Sequence, residues 1–515
     1  MKKILKKSTL VLIIAALLLS LLSLLVSCQT GNTTNGNKKD ESDADGANAK
    51  QADNQNAEDQ EEAEERIYPD LPAKDFGGYE FTFLSRTIDN VDWVEWNHRD
   101  LTAEEENGDV INDAVFLRNS KIGEKYNITF NEIVVENPQL VSLTQKSVKA
   151  GDDSYDVVAP HIMELATLSQ GGNLMNLFSV PNMDLSQQWW DQGTIRDLSI
   201  INKLFILQGD LLVIDNDAME AMIFNKAVLR DNALDDPYVI VKNGEWTLDK
   251  LIEMSKGIAQ DLNGDGEMYI KDDKFGCIVQ ADTNISFFVS GGEKVCSKDE
   301  NDYPVITFGS ERGYNILEKV SELMLDENNV VHLHRYEGQF GIYDEQVKMM
   351  EENRALFSWI RMRIVERLRG MEMDFGILPL PKLDKNQDKY ITHMNPHTGA
   401  GISIPITAGD IERTGMILED LCAESRYTLR PAYYERNLKG KYTRDDESYE
   451  MLDIILSNTA HDIGYVYDFG GFAGTTLIRN GQNKKSDYAS PFEKAQGKME
   501  KDIQKFVAAY EKIGQ

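Results

Sequence analysis

The sequence predicts an α/β protein whose ordered part divides into two lobes. Three observations predict it. Strand-like and helix-like stretches alternate from Tyr79 onward. Short, continuously apolar runs such as Val157-Val158-Ala159 suit strands buried on both faces of a parallel sheet. And about 450 residues remain after the N-terminal segments, more than a single hydrophobic core holds.

The chain opens on an address. Lys2, Lys3, Lys6 and Lys7 precede an apolar and small-residue run from Leu10 to Val26, the pattern of an export signal. The run closes on Leu25-Val26-Ser27-Cys28, a lipobox in which Cys28 becomes the lipidated first residue of the mature chain. An uncleaved anchor is the alternative, because the run approaches the ~20 residues that span a bilayer. Both readings place the rest of the chain outside the cytoplasm and tethered to the membrane. From Gln29 to Arg66 the residues are Asn, Gly, Ala, Asp, Gln and Glu with almost no large apolar side chain, a composition that cannot bury enough surface to fold. A coil of that length reaches roughly 35 Å, enough to hold a folded body off the membrane.

Order begins near Tyr68. Tyr79-Glu80-Phe81-Thr82-Phe83 alternates as a strand with one buried face does. Val110 to Tyr126 carries Ile111, Val115, Ile122 and Tyr126 at helical spacing and leads into a strand at Ile128 to Phe130. The run Asp156 to Ala159 is followed by helical Ile162 to Leu168, closed by Gly171-Gly172. The theme repeats with strands at Ala221 to Phe224 and Phe375 to Leu378, and helices at Thr247 to Ile258, Ile411 to Ala423 and Ser490 to Ile513. Strands alternating with helices imply sheets covered by helices.

Composition narrows the partners. With 54 basic and 86 acidic residues the net charge is -32, so nucleic acid is excluded as a partner. Four cysteines occur, and lipidation of Cys28 leaves Cys277, Cys296 and Cys422, enough for one disulfide at most. Whether Cys277 and Cys296 pair stays open. No Gly-x-Ser-x-Gly, His-Glu-x-x-His or Walker A sequence occurs, so no catalytic residues are assigned. His332-Leu-His334 and His393-x3-His397 have spacings a metal could use, but Pro396 opposes a helical pair and no third ligand is near in sequence.

The sharpest local motif is Asp261-Leu-Asn-Gly-Asp-Gly-Glu-Met-Tyr-Ile-Lys-Asp272. Asp261, Asn263 and Asp265 occupy loop positions 1, 3 and 5, Gly266 position 6 and Asp272 position 12, the spacing of a calcium loop, with Glu267 as a further oxygen donor. Aspartate at position 12, where an EF-hand has glutamate, is closer to a dockerin loop. A structural Ca2+ is expected here, or else a metal-free polar turn; no other cofactor is required.

Several phrases then resemble one family. Asn107-Gly-Asp-Val-Ile-Asn-Asp-Ala-Val115 with Glu124-Lys-Tyr-Asn127, Gln188-Trp-Trp-Asp191, Gly209-Asp210, Ile223-Phe-Asn-Lys226, Trp246-Thr247, Glu351-Glu-Asn-Arg-Ala-Leu-Phe357-Ser-Trp359 and Phe375-Gly-Ile-Leu-Pro-Leu-Pro381 come in the order they take in family 1 extracellular solute-binding proteins. These are the maltose-binding-protein-like receptors of ABC importers, here in a clostridial-type branch. Two departures are Asn353, where the family has Gly, and the reversed order of Trp246-Thr247.

The resemblance covers about residues 70 to 470 and implies a two-lobed periplasmic-binding-protein type 2 fold with hinge crossings near Asp210 to Met222, Tyr390 and Lys441. Residues 67–212 with 391–440 would form one lobe, and 213–390 with 441–515 the other, after a signal at 1–27 and the lipidated linker at 28–66. It also implies a monomeric, lipid-anchored receptor on the extracytoplasmic face of the cell membrane, handing a mono- or oligosaccharide to an ABC permease. A non-sugar solute such as a peptide, and a surface glycan-degrading lipoprotein, are the alternatives.

Sugar recognition needs aromatic faces for ring C–H surfaces and planar polar groups for hydroxyls. By the resemblance Trp359 is the stacking residue at the cleft edge, and a core anchor is its other use. Trp189 or Trp190 would face it from the other lobe. Asp210 at the hinge mouth and Arg361 next to the platform would bind hydroxyls. Trp93 and Trp96, in a polar stretch with Asp92 and Asn97, suit a cleft-rim loop or a structural role.

Overall fold

A computed structural model describes residues 66–87, 98–368, 370, 372–438 and 446–513. The signal segment, Cys28, the linker up to Glu65, Trp93, Trp96 and the crossing expected near Lys441 lie outside the described residues. Among the described residues no helix is long and apolar enough to cross a membrane.

Strands β1 (Tyr79–Arg86), β2 (Ile128–Val135) and β3 (Val157–Ala159) form a parallel sheet in the order β2-β1-β3, with Phe81 opposite Phe130 and Leu84 opposite Val158. Helix α1 (Val110–Tyr126) connects β1 to β2. Its N-cap Asp109 accepts from the amides of Ile111 and Asn112, and Asn127 ends it in the left-handed region at φ 49°. Helix α2 (Asn137–Ala150) leads to β3, and α3 (Ile162–Gln170) follows it. The alternation in β1 promised one buried face, yet Phe81, Thr82, Phe83, Leu84, Ser85 and Arg86 are all buried. The cause is tertiary: a parallel sheet with helical crossovers is covered on both sides.

The second sheet holds β4 (Glu220–Asn225), β5 (Phe275–Val279), β8 (Val330–His332), β9 (Ala355–Arg361) and β10 (Phe375–Leu378), in the order β10-β4-β9-β5-β8. Strands β5, β8 and β9 are mutually parallel, whereas β4 runs antiparallel to both β9 and β10. A short antiparallel ribbon, β6 (Cys296–Lys298) with β7 (Pro304–Ile306), stands apart. The helix Leu248–Ser255, capped by Thr247, packs so closely on β5 that a Cβ on Gly276 would lie 2.1 Å from the Ser255 carbonyl oxygen. Only glycine fits there.

After β10 the chain forms β11 (Thr392–His393), which pairs in parallel with β12 (Thr459–Ala460), and then returns to the first sheet. Ser403 bridges Val158, Ala400 bridges His161 and Ile402 bridges Leu207. Cys277, Cys296 and Cys422 are buried free thiols, which answers the disulfide question: Cys277 and Cys296 do not pair. Burial raises all three thiols.

Candidate functional site

Ligands of open α/β sheets bind at the carboxyl ends of the strands. In the five-stranded sheet β5, β8 and β9 all end on one edge, and the antiparallel β4 begins there, with Glu220 opposite Arg361 and His332 opposite Val279. The side chains collected on this edge are polar, although the strands behind them are apolar.

Glu220 is fully buried. One of its oxygens accepts from the Ser286 hydroxyl at 2.5 Å and lies 2.8 Å from His393 Nδ1, and the other accepts from the Asn395 amide at 3.5 Å. Next to it the Arg361 guanidinium pairs with Asp282 and lies over the Trp359 indole, 5.4 Å from the ring centroid. Burial alone would lower the Arg361 pKa, but Asp282, Tyr343 and Glu220 outweigh it and hold the charge. Tyr465 stacks on His393, with centroids 5.8 Å apart, and meets His397 at 5.3 Å. His334 meets Tyr343 at 6.1 Å.

Burial lowers His334 and His397, and lowers His332 to about 3, so these imidazoles are uncharged hydrogen-bonding groups at neutral pH. Burial also raises Tyr465 well above the usual phenol range, keeping its proton in place. Within this cluster Trp359 Nε1, Arg361 Nε, His393 Nε2 and the Tyr465 hydroxyl are buried and have no hydrogen-bond partner among the described residues. A buried polar group left unmet costs about 1–3 kcal/mol. All four belong to residues that the contacts above group around the carboxyl edge of the sheet.

Trp359 and Arg361 are thus brought together, but the indole is fully buried in the central strand β9, between Met222 of β4 and the end of β5. In this conformation it has no open face, and its Nε1 is buried without a partner among the described residues. Trp189, Trp190 and Asp210 gather elsewhere, around a separate cavity of about 340 Å3 that Asp215, Arg426 and Arg430 also line. Both indoles are buried, and Trp190 Nε1 donates to Glu419 at 2.9 Å. Gly209 lets them close up, since a Cβ there would lie 2.6 Å from the Trp189 carbonyl oxygen. Asp210 accepts from Arg426 at 3.0 Å and Arg430 at 3.5 Å. Sequence reasoning missed Glu220, Asp282 and Tyr465, and weighed His393 only as a metal ligand spaced with His397. A signal existed for Glu220, a lone carboxylate heading an otherwise apolar strand.

The loop from Asp261 is closed by its own backbone. Asp261 accepts from the amides of Gly264 at 2.6 Å and Gly266 at 2.8 Å, with both glycines at positive φ, 75° and 85°. Asn263 accepts from the Asp265 amide and Asp265 from the Glu267 amide, both at 2.9 Å. At the far end Asp272 is exposed, while the next residue, Asp273, is buried and accepts from the amides of Leu262 and Tyr269. Among the described residues no three His, Cys, Asp or Glu are grouped to hold a metal.

No protein-family model and no curated protein matches the chain. Solved structures do. An ABC substrate-binding protein from Listeria monocytogenes in complex with cycloalternan is 10% identical, with a TM-score of 0.53 over 83% of this chain and 99% of that one. A sugar transporter from Rhizobium etli in an open conformation is 10% identical, with a TM-score of 0.53 over 85% of this chain and 100% of that one. The GacH receptor of Streptomyces glaucescens, solved unliganded and with acarbose, is 10% identical, with a TM-score of 0.51 over 84% of this chain and 99% of that one. At such identity the likeness establishes the fold: two α/β lobes of the periplasmic-binding-protein type 2 class, as the sequence predicts.

Proposed function

We propose that this chain is the lipid-anchored, extracytoplasmic capture subunit of an ABC importer, that it binds a carbohydrate at the carboxyl edge of the five-stranded sheet, and that it is not an enzyme. The observation that carries the reading is the convergence of unpartnered buried donors on Trp359, Arg361 and Tyr465 beside the carboxylates of Glu220 and Asp282. Planar polar groups over an indole match what a polyol presents. Proteins of the same fold, solved with cycloalternan or acarbose, give the reading its context. Closure of the lobes, taken as 67–212 with 391–440 and 213–390 with 441–515, would be the state a permease reads.

Titration calorimetry of a carbohydrate panel against the parent chain and an Arg361→Gln variant tests it. Saturable binding that the variant weakens about tenfold or more supports the site, because a charge-assisted hydrogen bond contributes about 1.5–3 kcal/mol. A peptide or other zwitterion is the second reading, favoured by the paired charges of Arg361 and Asp282. Turnover of an oligosaccharide would instead establish a glycan-degrading role.

Trp189, Trp190 and Asp210 remain ligand candidates through the cavity they line, and Trp93 and Trp96 as rim residues by sequence. The loop of Asp261, Asn263, Asp265, Glu267 and Asp272 is proposed to take Ca2+ in a purely structural role.

A further inference from the structure

We propose that a network of six charged side chains clamps the two lobes together, so that their separation is controlled by ionic strength even without solute. On the lobe of the three-stranded sheet stand Arg99, Asp109 at the N-cap of α1, and Arg436, whose helix Leu429–Leu438 packs on α1. On the lobe of the five-stranded sheet stand Arg363 and Glu366, in the helix Arg363–Leu368 that follows β9 directly. Asp217 lies between them, on the segment that crosses into β4.

The carboxylates are shared across the gap. Asp217 accepts from Arg99 at 2.7 Å and from Arg363 at 3.3 Å. Glu366 pairs with Arg363 at 2.9 Å, Arg99 at 3.4 Å and Arg436, which in turn reaches Asp109 at 2.8 Å. Arg99 therefore reaches the other lobe through both Asp217 and Glu366, and Arg436 reaches it through Glu366. Rotating the lobes apart breaks all three links at once, while Arg363 keeps Glu366 and Asp217 on its own side.

Isolated exposed pairs contribute little. Here Asp217 is 4% exposed, and the side chains of Arg363 and Arg436 are each 16% exposed. Water and salt screen such a cluster less than a surface pair, so it holds at physiological ionic strength and gives way only at high salt. The clamp stands beside the solute site, two residues after Arg361 and three before Glu220. Solute closing the cleft would act on lobes whose spacing the network already sets.

The test needs no solute, so a failure to find a sugar leaves it intact. Spin labels at Lys146→Cys in α2 and Lys348→Cys in the helix Ile342–Glu351, both exposed positions, report the separation of the lobes. The full chain carries Cys28→Ser and is kept in detergent, and the remaining cysteines are buried. Pulsed dipolar spectroscopy is recorded from 0.05 to 1 M NaCl. The expected result is a single short distance at low salt, and a second, longer population that grows about five- to tenfold by 1 M, where the screening length is ~3 Å. Glu366→Gln should show the longer population already at low salt, and Arg436→Lys should need more salt than Arg436→Gln to reach it.

The salt series on the parent chain stands even if a variant fails to fold. A parent distance distribution unchanged across the series, or a folded Glu366→Gln indistinguishable from the parent at low salt, would overturn the clamp.

Discussion

Trp359 is a core residue that the proposed function also places at the solute site. It fills the middle of a central strand, and Arg361 covers its ring. Trp359→Ala is expected to cost about 3–5 kcal/mol of stability, as large-to-small changes in a core do, which chemical denaturation measures directly. Trp359→Phe keeps most of the apolar volume and removes the unpartnered N–H. Its effect should fall on solute affinity more than on folding, and equal losses in both would reject the assigned role of the N–H.

Glu419 supplies a second expectation at this scale. Burial pushes its carboxyl up from 4.5 to about 7, although Trp190 and the Asp184 amide hold the ionised form. A carboxyl raised on folding binds its proton more tightly in the native state. Its contribution is therefore fully present below about pH 4.5 and is lost as pH rises to 7. The melting temperature of the parent should fall relative to that of Glu419→Gln across this window, by the equivalent of about 2–3 kcal/mol. Parallel curves would show that Glu419 titrates normally.

At the scale of elements, close approach decides what is tolerated. Gly276 sits where the helix Leu248–Ser255 meets β5, and Gly276→Ala must push backbone apart. A loss of about 1–3 kcal/mol is expected, the range for overpacking. In the Asp261 loop, calcium should raise the melting temperature, chelator should reverse the rise, and Asp265→Ala should abolish the difference. No response to calcium or chelator would leave a turn held only by the amides of Gly264 and Gly266.

The elements themselves were largely legible in the sequence. Ile111, Val115, Ile122 and Tyr126 marked α1 through their spacing, and the apolar run at Val157 marked β3. The site was legible only in part. Arg361 was singled out by its place beside Trp359, but its partner Asp282 is 79 residues away, and His393 is 173 residues from Glu220. Pairings of that kind follow from strand order, which no local period encodes. Trp189 and Trp190, which the sequence reading sets on the lobe facing Trp359, line a cavity with Asp210, Arg426 and Arg430.

At the scale of the whole molecule the parts fit one task. On the proposed reading an anchor would hold the chain at the membrane, a linker would space it, and the two lobes would close over the polar edge of the five-stranded sheet. Cys28→Ala should release the protein from membranes or leave an unprocessed precursor. Normal maturation and anchoring of that variant would remove the lipobox from the account.

The central claim is that the carboxyl edge of the five-stranded sheet captures a carbohydrate. The most direct test is calorimetric titration of one carbohydrate panel into the parent chain and into folded Glu220→Gln, alongside denaturation of both proteins. The expected result is saturable 1:1 binding of at least one sugar to the parent, weakened about tenfold or more in the variant while the fold survives. Binding of equal strength in both proteins, or sugar binding that only Trp190→Ala abolishes, would contradict the claim.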